Sequence, residues 1–188
     1  QILHDAALQH VDLTLAIDRA GVVGDDGETH QGVFDAAFLN TVPGATVYSP
    51  AYFDELRLAL QNSIYRCKGV SAVRYPRGGE GYRPADFTLS REPYQVYGSQ
   101  TSKRMLVTYG RLFSAACLAQ KALRENGIEI AVLKLNRIRP LDPAAAKTAS
   151  SAEEIFFFEE GIRQGGVGEA FADQLLSCGF PGKFHLYA

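Results

Sequence analysis

The chain has 188 residues, room for one or two domains, and its 46% hydrophobic and 21% charged content is that of an ordinary folded α/β protein. A formal net charge of -2 with scattered lysines and arginines leaves no basic stripe for nucleic acid, and no apolar run approaches the roughly 20 residues a membrane span needs. Cys67, Cys117 and Cys178 are odd in number and lack metal-ligand spacing, so they are expected to be reduced, structurally buried thiols of a cytoplasmic protein.

Residues 1–9 carry apolar residues at helical spacing (Ile2, Leu3, Ala6, Leu8) but no initiator Met and no N-cap, so they read as the middle of a helix. Residues 182–188 stop inside an apolar alternation, and both ends suggest a piece of a longer polypeptide. The branched apolar run 11–17 predicts a strand buried on both faces. It delivers a glycine-rich loop, 18–32, that holds Arg19, Asp26 and His30. Ligands of open α/β sheets bind outside the carboxyl ends of the strands, which is where this loop falls. Asp25-Asp26-Gly27 is also a common turn.

Next come a short helix over 33–42 closed by Pro43-Gly44, a strand over 46–48, and Ser49-Pro50 as N-cap and first-turn proline of a helix. That helix is expected to bury Phe53, Leu56, Leu60 and Ile64. A strand over 70–75 ends in Arg74-Tyr75-Pro76-Arg77-Gly78-Gly79. The irregular composition of 78–103 reads as a link with one short strand over 94–97. A second unit follows: strand 105–109, helix 112–126, strand 129–135, a helix opened by Asp142-Pro143, strand 154–158, helix 168–178 and a strand from Lys183. Strands alternating with helices predict mostly parallel sheets with right-handed crossovers, in two α/β units. We place a first domain at 1–80, the linker at 81–103 and a second domain, cut off at its end, at 104–188.

Arg19 and Arg77, each at a strand's carboxyl end, suit one phosphate group, because a guanidinium offers paired donors and a permanent charge. Asp26 and His30, four apart, form the candidate catalytic pair for a hydroxyl or aldehyde oxygen, His being able to exchange a proton near neutral pH. The alternative for this pair is an internal Asp/His hydrogen bond that fastens the loop. Arg74 reads as a structural ion-pair partner as readily as a ligand group. Gly165-Gly166-Val167-Gly168 before a helix either nests an anion or packs against a neighbouring domain. Glu159 and Glu160 read as a surface charge pair, and helix 168–178 serves either the core or an interface.

The segments Ala16-Ile17-Asp18-Arg19-Ala20-Gly21, Gly27-Glu28-Thr29-His30-Gln31-Gly32 and Arg74-Tyr75-Pro76-Arg77-Gly78 resemble those of the 1-deoxy-D-xylulose-5-phosphate synthase family of transketolase-like enzymes. Asn136-Arg137-Ile138-Arg139-Pro140-Leu141-Asp142 and Glu159-Glu160-Gly161 extend the resemblance over essentially the whole chain. It implies the second half of a pyrimidine-binding domain followed by most of a transketolase C-terminal domain, in an enzyme that condenses pyruvate with D-glyceraldehyde 3-phosphate. It further implies thiamine diphosphate and Mg2+ as cofactors, a place in isoprenoid precursor synthesis and a homodimer. Arg19 and Arg77 would bind the acceptor phosphate, and Asp26 and His30 the acceptor itself. The family's Gly-Asp-Gly motif and its activating glutamate have no counterpart here, Gly24-Asp25-Asp26-Gly27 being a decoy for the first. The cofactor-binding residues are therefore expected in an N-terminal domain missing from this chain, which alone would be inactive and bind no cofactor. A noncatalytic module for dimerisation or for a phosphorylated ligand, and a 2-oxoacid dehydrogenase β subunit, are the alternatives.

Overall fold

A computed structural model describes all of residues 1–188. Two sheets carry the chain. In the first, β1 (Leu13–Ile17), β2 (Thr46–Tyr48), β3 (Val70–Arg74) and β7 (Arg137–Arg139) lie in the order β1-β3-β2-β7. In the second, β4 (Tyr94–Tyr97), β5 (Arg104–Tyr109), β6 (Ala131–Leu135), β8 (Glu154–Phe158) and β9 (Lys183–Tyr187) lie in the order β4-β6-β5-β8-β9. Pairing is parallel except at β4, antiparallel to β6, and at β7, antiparallel to β2. The alternating pattern therefore gives the α/β architecture expected, with two antiparallel additions.

The central strands β3, β5 and β6 are buried along nearly their whole length, as parallel strands covered on both faces must be. β1 does not follow the expectation for 11–17. It is the edge strand, and its side chains are half-buried or exposed. Residues 1–9 form one π-helical turn, Ile2–Ala7, whose Ala6 packs with Val42, Ala45 and Val70.

The helices are α1 (Asp35–Asn40), α2 (Phe53–Tyr65), α3 (Leu112–Glu125), α4 (Pro143–Ala149) and α5 (Val167–Ser177). Asp142 caps α4, its carboxylate accepting from Ala144 N at 2.9 Å, with Pro143 in the first turn as expected. α5 puts Val167, Phe171 and Leu175 into the main core beside Phe157, which settles its inner face as core.

α2 departs from the sequence reading in two ways. Ser49-Pro50 does not open it: the helix begins at Phe53, whose N–H donates to Glu80 Oε1 at 2.5 Å, while Ala51 N donates to Glu55 Oε2 at 2.9 Å. Its inner face is Glu55, Ala59, Asn62 and Ser63, whereas Phe53 and Ile64 of the expected apolar stripe are 61% and 56% exposed. Periodicity identifies a stripe but not what it faces, and here a buried ion pair chooses the opposite side. Glu55 reaches Lys134 Nζ of β6 at 2.5 Å, joining α2 to the second sheet through a lysine with no exposed surface. Burial pulls the Lys134 pKa down, and the Glu55 carboxylate opposes that shift. The strap after β3 is anchored on the same helix, Arg83 pairing with both oxygens of Asp54 and lying over the Tyr52 ring at 4.2 Å.

Only Cys117 is fully buried, Cys67 being half-buried and Cys178 exposed at the C-cap of α5, so one of the three expected structural thiols is a surface group. Burial raises the Cys117 thiol to about 12.

Two outcomes are expected. Glu55→Ala removes the carboxylate paired with buried Lys134, leaving Asn136 Oδ1 as its side-chain acceptor, and lowers stability by about 3–5 kcal/mol in urea unfolding, most of which Glu55→Gln combined with Lys134→Met restores. Iodoacetamide at pH 8 labels Cys178 and spares Cys117, whose thiolate fraction is on the order of 10⁻⁴ there and rises tenfold per pH unit. Peptide mass mapping reads the difference, and equal labelling of both would show that Cys117 is not sealed.

Candidate anion site at the meeting of the two sheets

The carboxyl ends of the two sheets face each other. Ser49, just past β2, accepts from Gly110 N beyond β5 and donates its own N–H to Asn136 O beyond β6, both at 3.2 Å. These contacts consume the residue that the sequence suggested as a helix cap. Polar side chains gather at or just past the strand ends along this seam, among them Ser49, Arg74, Tyr109, Asn136 and Glu159, and a ligand site is expected at such a place.

The innermost part is a buried chain of partners. Arg74, 3% exposed at the end of β3, donates Nε to Asp35 Oδ2 at 2.8 Å and Nη2 to Asp35 Oδ1 at 3.0 Å, and Nη2 also donates to Gly32 O at 3.2 Å. Its guanidinium lies 5.4 Å from the centre of the Tyr109 ring. Tyr109 Oη donates to Glu159 Oε2 at 2.7 Å, and Glu159 accepts from Val167 N at 3.1 Å and Gly168 N at 2.9 Å. Burial drives the Glu159 pKa up, and its hydrogen bonds offset that rise only in part. Burial also lifts the Tyr109 hydroxyl well above its ordinary value, keeping it a donor.

This arrangement answers three questions left by the sequence. Arg74 is structural. Glu159 is not half of a surface pair but a buried acceptor. The glycine-rich turn before α5 does hold an anion, and the anion is the chain's own: Glu159 takes Val167 N and Gly168 N, and Glu169 Oε2 takes Gly165 N at 2.7 Å.

Further out, the loop after β1 and the turn after β3 bring three of the four expected residues together. Arg19 Nη1 and Arg77 Nη1 both donate to Asp26 Oδ1, the second at 2.5 Å. Both guanidiniums remain about half exposed, whereas the Asp26 side chain has 1% of its surface accessible. Burial works to raise the Asp26 pKa, but the bonds from Arg77 and Arg19 outweigh it and hold the carboxyl below its usual range. Asp26 is thus an ionised spacer that fixes two cations around one point, using a single N–H of each five-donor guanidinium. Its other oxygen, Oδ2, is buried and has no donor.

The loop is built for this. Arg19 has φ 61°, a left-handed conformation uncommon outside glycine, and its N–H bonds the Asp18 carboxylate at 2.7 Å. Ala20 N donates to Tyr75 O at 3.0 Å, laying the loop against the β3 turn that carries Arg77. A 3₁₀ turn, Gly24–Asp26, carries the aspartate. Gln31 staples the loop from within: Oε1 accepts from Val23 N at 2.7 Å, and Nε2 donates to Val23 O at 2.9 Å and Gly27 O at 2.6 Å.

His30 is set apart. It is exposed, its Nδ1 lies 2.8 Å from Thr29 Oγ1, and neither ring nitrogen bonds Asp26, so the internal Asp/His fastening is not formed. The sequence reading missed Gln31, whose type and position flag nothing locally, and Arg111, whose role depends on a residue 89 positions away.

Residues 1–79 match the family model of the transketolase pyrimidine-binding domain, and residues 96–184 that of the transketolase C-terminal domain. The chain belongs to the transketolase family. It is 39% identical over 180 residues to 1-deoxy-D-xylulose-5-phosphate synthase of Chlorobium luteolum, an alignment covering 94% of this chain and 28% of the relative. Against the synthase of Helicobacter pylori strain HPAG1 the identity is 35% over 179 residues, 93% of this chain and 28% of the relative. A solved split-gene transketolase, described as an inactive β4 tetramer, superposes with a TM-score of 0.82 at 23% identity over 98% of this chain and 60% of its own, and so supports the fold. The chain spans under a third of the length of the curated relatives it matches.

Arg74→Ala is expected to lower stability by about 3–5 kcal/mol in denaturant unfolding, because it leaves Asp35 buried and unpaired. Arg77→Ala, at a half-exposed pair, is expected to change it by under about 1 kcal/mol. Equal losses would contradict the division between a buried, structural arginine and a half-exposed one.

Proposed function

We propose that this chain is part of a 1-deoxy-D-xylulose-5-phosphate synthase, supplying the side of its site that receives D-glyceraldehyde 3-phosphate. The convergence of Arg19 and Arg77 on one point carries the reading: two permanent cations from different strand ends, with most of their N–H donors free, suit a phosphate monoester. Asp26 Oδ2, buried and without a donor, suits a substrate hydroxyl. His30, exposed on the same loop, supplies the group able to exchange a proton with the aldehyde oxygen. A 2-oxoacid dehydrogenase β subunit has no use for a phosphate-sized arginine pair.

The proposed synthase's chemistry is that of thiamine diphosphate with Mg2+, joining pyruvate to the aldehyde with loss of CO2. This chain's residues do not fit a magnesium-bound diphosphate. Asp26 is committed to two guanidiniums, the N–H groups before α5 are taken by Glu159 and Glu169, and no three His, Cys, Asp or Glu side chains gather as ligands. Cofactor binding, and with it turnover, would need residues outside these 188, consistent with the share of each relative that the chain spans. In the same reading 1–80 and 104–188 are two domains joined by 81–103. The whole enzyme is a cytoplasmic homodimer acting early in isoprenoid precursor synthesis. No helix of the chain is long and apolar enough to cross a membrane.

The test is a titration of the full chain by amide-resolved NMR. D-Glyceraldehyde 3-phosphate is expected to shift residues 19–32 and 76–79 saturably, and unphosphorylated D-glyceraldehyde at equal concentration is not. Arg19→Ala or Arg77→Ala should each weaken the phosphorylated ligand by about tenfold or more, the loss of a charge-assisted contact. Identical responses to the two ligands would refute the phosphate reading.

A further inference from the structure

The loop that carries Arg19 and Asp26 belongs to the first sheet by sequence, yet one of its peptide groups is gripped from the second. Arg111, the residue before α3, donates Nη2 to the carbonyl oxygen of Val22. The N–H of the same peptide unit, that of Val23, is held by Gln31 Oε1 at 2.7 Å. Both polar groups of the 22–23 peptide are therefore fixed, from opposite sides. Val23 O then accepts from Asp26 N at 3.0 Å, closing the 3₁₀ turn that presents the Asp26 carboxylate.

Arg111 is itself aimed. Its Nε donates to Glu160 Oε2 at 2.7 Å and its Nη2 bonds Glu160 Oε1, a two-point pairing that sets the plane of the guanidinium. Glu160 lies two residues past β8 and against Gly21, where an added Cβ would collide with the carboxylate, its Cδ coming within 2.9 Å. Gly21 also has φ 83°, so the loop turns back at the point where Glu160 needs the space. Neither Arg111 nor Glu160 bonds Arg19, Arg77 or Asp26. The pair touches the loop backbone, not the proposed anion position.

We propose that Arg111, oriented by Glu160, is a positioning residue: it fixes the 22–23 peptide from the second sheet and so sets Asp26, and through it the spacing of Arg19 and Arg77, for the anion. The inference rests on the reading that these arginines take a phosphate. It makes the anion site depend on the register of the two sheets, because the cations come from one and the brace from the other.

Two measurements on the full chain test it. Hydrogen exchange needs no ligand: Arg111→Ala is expected to raise exchange across 19–32 by about tenfold or more, with α2 and β5 protected as before. Glu160→Gln keeps the packing and one acceptor oxygen, so a smaller rise in the same segment is expected, and this variant carries the test if Arg111→Ala does not fold. Unchanged exchange at 19–32 in a folded Arg111→Ala chain, or in Glu160→Gln if that alone folds, overturns the proposal. The second measurement is an NMR titration with inorganic phosphate. Arg111→Ala should bind it about tenfold or more weakly, and Arg111→Lys should not rescue, because an ammonium cannot span both Glu160 oxygens and the Val22 carbonyl. Wild-type affinity in Arg111→Lys would show that only charge matters and would overturn positioning. No saturable shift in the unmodified chain would instead refute the phosphate reading, with the brace still decided by the exchange result.

Discussion

A guanidinium buried where two sheets meet is the constraint on which the rest of the arrangement depends. Arg74 has almost no exposed surface, and a charge in that position is tolerated only if partners surround it. They arrive from separate elements: Asp35 at the first turn of α1, the Gly32 carbonyl from the loop after β1, and the Tyr109 ring at the end of β5. Tyr109 passes the requirement on through its hydroxyl to Glu159, and Glu159 to the first N–H groups of α5. Strands β3, β5 and β8, helices α1 and α5 and the loop after β1 are thereby tied in one line. Displacing any of them leaves a buried charge or polar group unpaired, so the seam has essentially one geometry.

That rigidity is what permits strain and open charge a few ångströms further out. Arg19 holds a left-handed backbone conformation and Asp26 sits between two cations with one oxygen unpartnered, features that cost free energy and persist only when the surroundings over-determine them. The surroundings here are the Gln31 staple inside the loop, the Ala20 to Tyr75 bond beside it, and the Arg111–Glu160 pair across the seam. A second buried pair, Lys134 with Glu55, ties α2 to the second sheet. The pairs Arg74–Asp35 and Lys134–Glu55 are sealed from water, whereas Arg19 and Arg77 keep about half of their side-chain surface exposed.

How much of this was legible in the sequence follows from the range of the interaction. Asp142-Pro143 as a helix start, Tyr94–Tyr97 as a strand and the gathering of Arg19, Asp26 and Arg77 at strand ends were readable, because caps, alternation and strand termini are local signals or fixed by topology. The outward stripe of α2 was not, since the partner that turns the helix over, Lys134, lies 79 residues from Glu55. β7 escaped notice because three residues, Arg137–Arg139, join the other sheet with a charged residue at each end. Glu159 and Glu160 look alike in the sequence, yet one is a buried acceptor for a helix N-terminus and the other aims Arg111. Only the different strand and loop each faces separates them.

The same contrast within one short stretch shows how a strand end sorts chemistry. Arg74 and Arg77 are three residues apart and of one type, with Pro76 between them. Arg74 is still in the parallel ladder, paired with Ile17, so its side chain must enter the seam and be neutralised there. Tyr75 makes one more bond back to Ile17 O, and Pro76, lacking an N–H, lets the chain leave the sheet. Arg77 therefore projects beyond the layer that Arg74 closes, into the space above the loop, where the only carboxylate within reach is one it shares with Arg19. A residue of the same type is thus buried and structural on one side of the proline and half-exposed on the other. What decides between them is where the ladder of backbone hydrogen bonds stops.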